Sequence, residues 1–417
     1  MIVARWSNVL QPFAIRSFRF QWAGDLATSW AFEMEPLILG WYILVETGSV
    51  LYLTVFGSLL FLGTLLSPVF GVVADRIGHR NLLCAMRAAY VILAGALTLA
   101  IVMGYLSPEV ALGLAFLSGL IRPSDIGVRS ALVASLVPPN SLVSAMSISR
   151  TTSDSARVVG ALAGSSMFAA IGIAPTYVAI TFLYLAGLLL TLQVSAASEA
   201  ADNLVGQLRS SPWQELREGV AYVWKTPHLQ AAMWLALLVN LTAFPLSIGL
   251  LPYVAKEIYG TEQTGLGYLL ASFSIGALLG SIYLSMFGQQ VKAARAMLSY
   301  SFAWHIFLLF FAYTTDIRYG IPLLVLAGLS QSLSLLPLVV MLMRTSDPAF
   351  RGRVMGVRIL AIYSLPVGLV ISGALIDSLG FRTAMTLYMV TGILVTALIA
   401  VGWRKSLLRE TAIGNSY

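Results

Sequence analysis

Apolar stretches of membrane length, separated by short polar turns, run through almost the whole chain. About twelve of them are long enough to cross a bilayer as a helix, which takes about 20 residues. The pattern therefore predicts an all-α integral membrane protein with twelve transmembrane helices. The predicted spans lie near 20–43, 49–74, 82–104, 108–128, 143–171, 174–195, 229–251, 264–287, 294–314, 319–342, 354–377 and 382–403.

The polar connections carry the positive charge on one side, and Arg87 is counted among the residues of that side. The connections on the other side hold only Lys256, Arg318 and Arg382. Because basic residues concentrate on cytoplasmic loops, we expect both termini in the cytoplasm. The same rule accounts for the net charge of +7 without a nucleic-acid partner.

Composition supports a lipid environment. The chain is 58% hydrophobic and 10% charged, with a mean hydropathy of +0.85, whereas soluble proteins carry roughly 25% charged residues. The start of the chain lacks the apolar core and cleavage site of a signal peptide. We expect the first span to act as an uncleaved insertion signal.

One long polar connection divides the spans into two sets of six. It runs over Ser195–Pro227. Its part Pro212–Trp224 predicts an amphipathic interfacial helix, because its apolar residues lie at helical spacing, namely Trp213, Leu216, Val220 and Val223. We predict an N-terminal bundle over 1–195, a cytoplasmic linker over 196–228 and a C-terminal bundle over 229–417. A shift of 209 residues lays Pro139 on Pro348 and Gly164 on Gly373, so the two bundles are predicted to be pseudo-symmetric.

Several kinds of chemistry lack their residues. Cys84 is the single cysteine and the three histidines are far apart, so we expect neither a metal nor a cofactor. The chain has no Walker lysine motif and no recognisable Ser/His/Asp arrangement or selectivity-filter repeat. We therefore expect a protein that is not an enzyme, although an enzyme acting on lipid stays a minor alternative.

Charged residues inside the predicted spans are expensive and are therefore functional candidates. The first span contains Asp25, Glu33 and Glu35. Glu33 is expected near the midplane, where a carboxyl group suits reversible protonation, and Asp25 is the second candidate for proton coupling. The alternative for both is a structural ion pair with an arginine of a neighbouring helix. Glu35, beside Pro36, is expected to face an external vestibule and to contact substrate.

The fourth span contains Arg122, Asp125 and, at its end, Arg129. Arg122 stays charged, so it needs a carboxylate or an anionic ligand. We leave open whether it pairs with a carboxylate of the first span or contacts substrate. Asp125 and Arg129 are at i, i+4 and are predicted to form a structural or gating pair.

The fifth span carries Arg150, Asp154 and Arg157 on one helical face. That face is predicted to look inward, with Asp154 held between the two arginines and one spare positive charge available for an anionic group or for Glu33. Gly160 and Gly164 follow and predict close helix packing.

The second half offers polar and aromatic candidates instead of charges. A cavity between such groups and the charges of the first half would suit an amphipathic organic substrate, although each is more often a packing residue. The candidates are Asn240, Phe244, Trp304, His305, Gln331 and Tyr363.

The turn Gly71–Arg80, between the second and third spans, resembles the signature of the major facilitator superfamily. The resemblance implies the major facilitator fold and alternating access. It also implies that the turn is a conformational latch in which Asp75 meets the start of the eleventh helix, near 351–354. The matching residues are Gly71, Asp75, Arg76, Gly78 and Arg80.

The stretch Ser130–Met146 resembles the bacterial branch that contains the enterobactin exporter and related drug exporters. That resemblance implies proton-coupled efflux of a small amphipathic molecule by a monomer in the bacterial inner membrane. Its implied partners are the substrate, protons and the lipid bilayer. Import or flipping of a lipid-like substrate, and a non-transporting receptor, stay open as alternatives.

Overall fold

The computed structural model describes residues 11–195, 212–288 and 291–406. Every regular element within these ranges is helical, so the predicted all-α class is confirmed. The first half contains α1 (Arg16–Thr47), α2 (Val50–Leu59), α3 (Ser67–Ile77), α4 (His79–Val102), α5 (Pro108–Leu136), α6 (Leu142–Ile171) and α7 (Ile173–Leu192). Short 3-10 turns occupy Gln11–Ala14, Leu62–Leu66 and Pro139–Ser141.

The second half begins with α8 (Pro212–Lys225), over the segment where the sequence predicts an amphipathic helix. It continues with α9 (Pro227–Phe244), α10 (Gln263–Phe287), α11 (Ala293–Tyr313), α12 (Ile317–Thr345), α13 (Arg351–Ile362), α14 (Ser364–Leu379) and α15 (Phe381–Gly402). The chain after α9 passes through π-helical turns at Pro245–Gly249 and Val254–Ile258, on either side of a helical turn at Leu251–Tyr253. A 3-10 turn covers Pro348–Phe350.

Within the described ranges, nine helical segments are long and apolar enough to cross a membrane. The three other predicted spans are not among these nine segments, for two different reasons; they are 20–43, 49–74 and 143–171. The helices α1 and α6 are long enough, but they carry the charged residues noted above. The span 49–74 is interrupted by a 3-10 turn, and at this turn its backbone meets α5, where a Cβ atom added to Gly63 would lie 2.1 Å from the carbonyl oxygen of Leu120.

The described residues form two compact units. The first contains residues up to Thr47 and those from Leu59 to Ser195, and the second contains Gly48–Ser58 and everything from Pro212 onwards. The stretch Gly48–Ser58 therefore lies in the second unit, where Ser58 donates a hydrogen bond to the carbonyl of Pro366 at 2.9 Å. The division at 195 and 228 stays a prediction, and residues 196–211 of the linker lie outside the described ranges.

The first unit is built around α1, which packs against α6 and α7. Small residues permit the approach, because a Cβ atom at Gly160 would lie 2.8 Å from Cβ of Glu33, and one at Gly164 would lie 2.9 Å from Cγ of Met34. Close packing at small residues is typical of helices in membranes. The turn Pro139–Ser141 precedes α6 as Pro348–Phe350 precedes α13, at the predicted interval of 209 residues.

In the second unit, α12 packs against both α10 and α11. The approach of α10 to α12 again depends on glycine, since a Cβ atom at Gly276 would lie 2.0 Å from the carbonyl oxygen of Val325. The linker helix α8 packs on α13 in the same unit.

Candidate functional site

Three of the four carboxylates of α1, namely Asp25, Glu33 and Glu35, point in different directions. Glu33 and Glu35 are two residues apart, so their side chains project about 160° apart around the helix. Glu35 and Asp25 are buried, whereas the Glu33 side chain is 36% exposed. Of these three candidates, two therefore lie inside the first unit and one lies at its surface.

Asp25 forms a buried ion pair with Arg87 of α4. The Arg87 guanidinium also donates hydrogen bonds to the Thr191 hydroxyl and, at 3.1 Å, to the carbonyl of Gly187, both on α7. Three helices are thus joined at one arginine. A buried charge needs such partners, because an unpaired one costs several kcal/mol. Of the two interpretations of Asp25, this geometry corresponds to the structural ion pair.

Arg87 corrects one detail of the sequence interpretation. It counts there among the positive residues of the cytoplasmic connections, but its side chain is 1% exposed. Gly24 makes the room, since a Cβ atom at that position would lie 2.6 Å from Nη1 of Arg87. The sequence places Arg87 at the start of a long apolar stretch, which is typical of a residue at the membrane surface. It does not show that Asp25 of another helix lies beside Arg87 in the folded protein.

Glu35 lies in a different, largely aromatic environment. It accepts a hydrogen bond of 2.7 Å from the Tyr184 hydroxyl on α7. The rings of Phe32, Tyr90 and Tyr184 surround this position, with centroids 5.0 to 5.8 Å apart. Arg122 supplies the positive charge that attracts Glu35.

Arg122 reaches into the unit from α5 beside the kink residue Pro123. Its Nη2 donates to the carbonyl of Phe32, and its guanidinium carbon lies 4.6 Å from the centre of the Phe32 ring. Its Nη1 is buried without a hydrogen-bond partner among the described residues. One guanidinium nitrogen is therefore left without a bond inside the unit.

A second set of charges lies at the accessible surface of α1 and α6. Arg150 pairs with Asp154 at 3.0 Å, and Arg157 lies 3.6 Å from Asp154, so the structure forms both predicted ion pairs. Arg157 also lies 3.8 Å from Glu33, and its side chain is 44% exposed. Glu33, Asp154 and Arg157 are thus joined by charge contacts. Asp154 is buried, whereas solvent or a ligand can reach Glu33 and Arg157.

Asp125 and Arg129 are not brought together as a pair. Arg129 instead donates to the hydroxyls of Ser29 at 3.0 Å and Ser153 at 3.2 Å. Both carboxylate oxygens of Asp125 are buried without a hydrogen-bond partner within the described part of the chain. The i, i+4 spacing permits the pair, but hydroxyl groups of α1 and α6 take the arginine.

The turn at Gly78 separates α3 from α4 with a φ of +85°, a conformation that favours glycine. Arg80 follows and donates to the carbonyls of Val194 at 2.7 Å and Leu192 at 2.6 Å, at the end of α7. Gly71 and Arg76 are exposed. The Asp75 side chain lies outside the described part of the structure, so its contact with the eleventh helix stays a prediction.

The candidates of the second half are mostly packing residues. His305 is fully buried and bonds Thr242 at 2.8 Å, and Trp304 donates to Ser247 at 3.1 Å. The contacts of the remaining candidates vary: Phe244 packs edge-on against Trp304 at 5.0 Å, Asn240 donates to the carbonyl of Ala236 at 2.8 Å, and Gln331 and Tyr363 are half-buried. The structure thus encloses Trp304 and His305, whereas the half-buried residues stay candidates for substrate contact.

Sequence reasoning overlooked the residues that complete the buried network. Tyr184 bonds Glu35, and the Tyr90 ring packs against the Tyr184 ring at a centroid distance of 5.6 Å. Both residues are uncharged and lie in long apolar stretches. A phenol in such a span is a possible hydrogen-bond partner for a buried carboxylate, which is the one signal that the sequence offered.

Comparison with known proteins gives the family. A model of the transmembrane secretion effector family, part of the major facilitator superfamily, matches residues 7–412. The multidrug efflux pump Tap of Mycolicibacterium fortuitum is 28% identical over 167 residues, which is 40% of each chain. The chain therefore aligns with about two fifths of the length of Tap.

Solved structures agree on the fold. The chain superposes on a D-xylose-proton symporter with a TM-score of 0.71 at 11% identity, covering 92% of this chain and 96% of the other. It superposes on a bacterial homologue of the human lysosomal transporter Spinster with a TM-score of 0.67 at 13% identity, covering 95% and 98%. The predicted fold class is confirmed, and the matched family and fold are those of transporters, not of enzymes. With a family match over nearly its whole length, this multi-pass membrane protein belongs to the transmembrane secretion effector family of the major facilitator superfamily.

Proposed function

We propose that this transporter exports a small amphipathic organic molecule, of drug or siderophore-like type, in exchange for protons. The observation that carries the proposal is Glu35, a carboxyl group buried near the middle of α1 whose bonded partner is Tyr184. Burying a carboxylate is costly unless it is paired, and binding a proton removes that cost. Glu35 is therefore suited to hold a proton during part of a transport cycle.

Protonation of Glu35 would change the electrostatic interactions of Arg122. When Glu35 is charged it attracts Arg122, and when it is protonated that attraction is lost. Arg122 would then be free to hold an anionic or polar group of the substrate with its unbonded nitrogen. Proton binding and substrate binding would thus compete for one guanidinium, which is the linkage that exchange requires.

Glu33 has a complementary place in this scheme. Its side chain is partly exposed beside Arg157, so it can exchange a proton or contact a substrate that reaches the surface. Glu33 thus stays a candidate for proton coupling. Asp25 is the weaker candidate, because Arg87 already balances its charge.

Efflux as the direction of transport is supported by the similarity to the multidrug efflux pump Tap and by the match to a family of secretion effectors. We place the protein in the bacterial inner membrane as a monomer with both termini in the cytoplasm, in line with the distribution of basic residues. Import or flipping of a lipid-like substrate is the second candidate, favoured by the long apolar stretches of the second unit. A receptor without transport is the third.

The test is transport in proteoliposomes with and without an imposed pH gradient, with ethidium and a catecholate siderophore as probes. The wild-type protein is expected to move a probe in the direction opposite to the protons when a pH gradient is imposed. Glu35→Gln is expected to lose gradient-driven movement while keeping exchange of labelled for unlabelled probe. Glu46→Gln is the matched control, because Glu46 is an exposed carboxylate near the end of the same helix.

Three outcomes contradict parts of the proposal. Flux in wild type that ignores the gradient excludes proton exchange. Normal coupling in Glu35→Gln excludes Glu35 as the proton carrier. Absence of flux for drugs, siderophores and lipids alike favours the receptor.

A further inference from the structure

The linker helix α8 has two faces with different surroundings. Gly219 and Val223 are buried and Tyr222 is half-buried on one side, whereas Val220 and Trp224 are exposed on the other. The sequence groups Val220 with Val223 as one apolar face, but the structure separates them. The apolar residues of α8 therefore point to two different surroundings. Those on one side pack against α13, and those on the other side are exposed.

The inner face is fixed to the start of α13. Glu218 pairs with Arg353 at 3.1 Å, and the Tyr222 ring stacks on Phe350 with centroids 4.5 Å apart. The Tyr222 hydroxyl accepts a hydrogen bond of 3.1 Å from the backbone amide of Asp347. These contacts hold α8 in one orientation, so its outer face points in a defined direction.

The outer face combines an apolar centre with basic ends. Trp224 is 63% exposed and Val220 is 37% exposed. Arg217 and Lys225 are exposed on the same face, eight residues apart, which is about 12 Å along a helix. Apolar residues flanked by Lys and Arg are the composition of helices that lie in the headgroup region of a bilayer.

The position of α8 beside the spanning helix α9 also favours contact with the headgroup region of a bilayer. A single residue, Thr226, separates α8 from the spanning helix α9. Trp224 meets Trp234 of α9 edge-on at 6.3 Å, and Trp234 is itself 41% exposed in a membrane-spanning segment. The exposed face of α8 thus continues into the lipid-facing surface of α9. Gln230 donates to the Trp224 carbonyl at 2.6 Å and fixes this corner.

We infer that the face formed by Arg217, Val220, Ala221, Trp224 and Lys225 docks on anionic phospholipid headgroups of the cytoplasmic leaflet. Each basic residue near an anionic surface changes the partition between docked and free states by about fivefold. Because the inner face of α8 holds the 347–353 segment, lipid docking also fixes the entry to α13. Activity would then depend on the content of anionic lipid.

The test uses the full-length protein in nanodiscs of phosphatidylcholine, with or without phosphatidylglycerol. An environment-sensitive NBD fluorophore is attached at Ala221→Cys in a Cys84→Ser background, since Cys84 is the single cysteine. A label at Asn140→Cys, an exposed position in a polar turn, reports water. The emission at residue 221 is expected to shift to the blue when phosphatidylglycerol is present.

Charge variants identify the cause. Arg217→Gln with Lys225→Gln is expected to abolish the phosphatidylglycerol-dependent shift. Lys292→Gln with Arg295→Gln, an equal loss of charge at exposed positions of the same unit, is expected to keep it. An emission at residue 221 equal to that at residue 140 in both lipids would overturn the docking. A blue shift that is the same in both lipids and in all variants would overturn the role of anionic lipid.

Discussion

Replacing the two members of the Asp25–Arg87 pair, singly and together, gives the sharpest test of the buried network. Arg87→Met keeps an unbranched apolar chain but leaves the Asp25 carboxylate inside the first unit with only Gln21, at 2.7 Å, as its remaining donor. Removing one partner of a buried ion pair costs about 3–5 kcal/mol, because the other charge stays uncompensated. We expect this loss in the free energy of unfolding of Arg87→Met.

The double variant Asp25→Asn, Arg87→Met removes both charges. Since a buried pair replaced by neutral groups is often close to neutral in stability, the double variant is expected to be more stable than Arg87→Met. The interaction energy between the two sites should be at least about 2 kcal/mol, in the upper part of the range for contacting residues. Unfolding of the purified full-length protein in mixed micelles, followed by circular dichroism, measures it.

Arg150→Met is the matched control. Arg150 also pairs with an aspartate, at 3.0 Å, but its side chain is 61% exposed. Exposed ion pairs contribute about 0–1 kcal/mol, so Arg150→Met is expected to change stability little. Equal and small effects of Arg87→Met and Arg150→Met would refute the claim that Asp25–Arg87 is a buried pair.

The same variants separate a structural role of Asp25 from a role in proton coupling. If the pair is structural, the double variant keeps gradient-driven transport of ethidium in proteoliposomes. If Asp25 carries the proton, transport by the double variant no longer responds to the pH gradient even though the protein is folded, because the asparagine side chain does not bind a proton at the pH of the assay. A folded but uncoupled double variant would return Asp25 to the first rank of proton carriers.

Three further predictions use the same transport assay. Glu33→Gln is expected to impair proton coupling at normal melting temperature, since its partly exposed side chain contributes little to packing; unchanged coupling argues against a role in proton exchange. Asp75→Asn is expected to slow the transport cycle with little change in substrate affinity, and a loss confined to affinity contradicts the latch. Gly160→Val is expected to lower stability by roughly 1–3 kcal/mol, the usual cost of overpacking, because a Cβ atom there lies 2.8 Å from Cβ of Glu33; wild-type stability would show that α1 and α6 are not packed at this site.

The ends of some helices could be predicted from the sequence because the bilayer sets the length of a span, although α5 continues to Leu136, beyond the predicted end at 128. The predicted span 264–287 becomes Gln263–Phe287, and 143–171 becomes Leu142–Ile171. The interruption of span 49–74 could not be foreseen from its apolar length. Hydrophobic length is a local property, whereas the close contact of this segment with α5 joins residues far apart in the sequence.

Ion pairs within one helix were also predictable. Asp154 meets both Arg150 and Arg157 because positions three and four apart share a face. The same rule fails for Asp125 and Arg129, since competing hydroxyl groups come from other helices. Pairing between helices, such as Asp25 with Arg87, has no spacing rule at all. Local geometry allows a contact, and tertiary packing decides whether it forms.

The contrast between Glu33 and Glu35 shows which property of a candidate residue the sequence does not predict, namely its burial. Helical spacing alone places them on nearly opposite sides, but only the neighbours tell which one is buried. Glu35 meets Tyr184 and the field of Arg122, and Asp125 is buried without a hydrogen-bond partner among the described residues. Stability favours removal of such groups, because burying a carboxylate that is not fully paired is costly. The proposed proton exchange accounts for Glu35, because a buried carboxyl group that binds a proton no longer carries the cost of its charge.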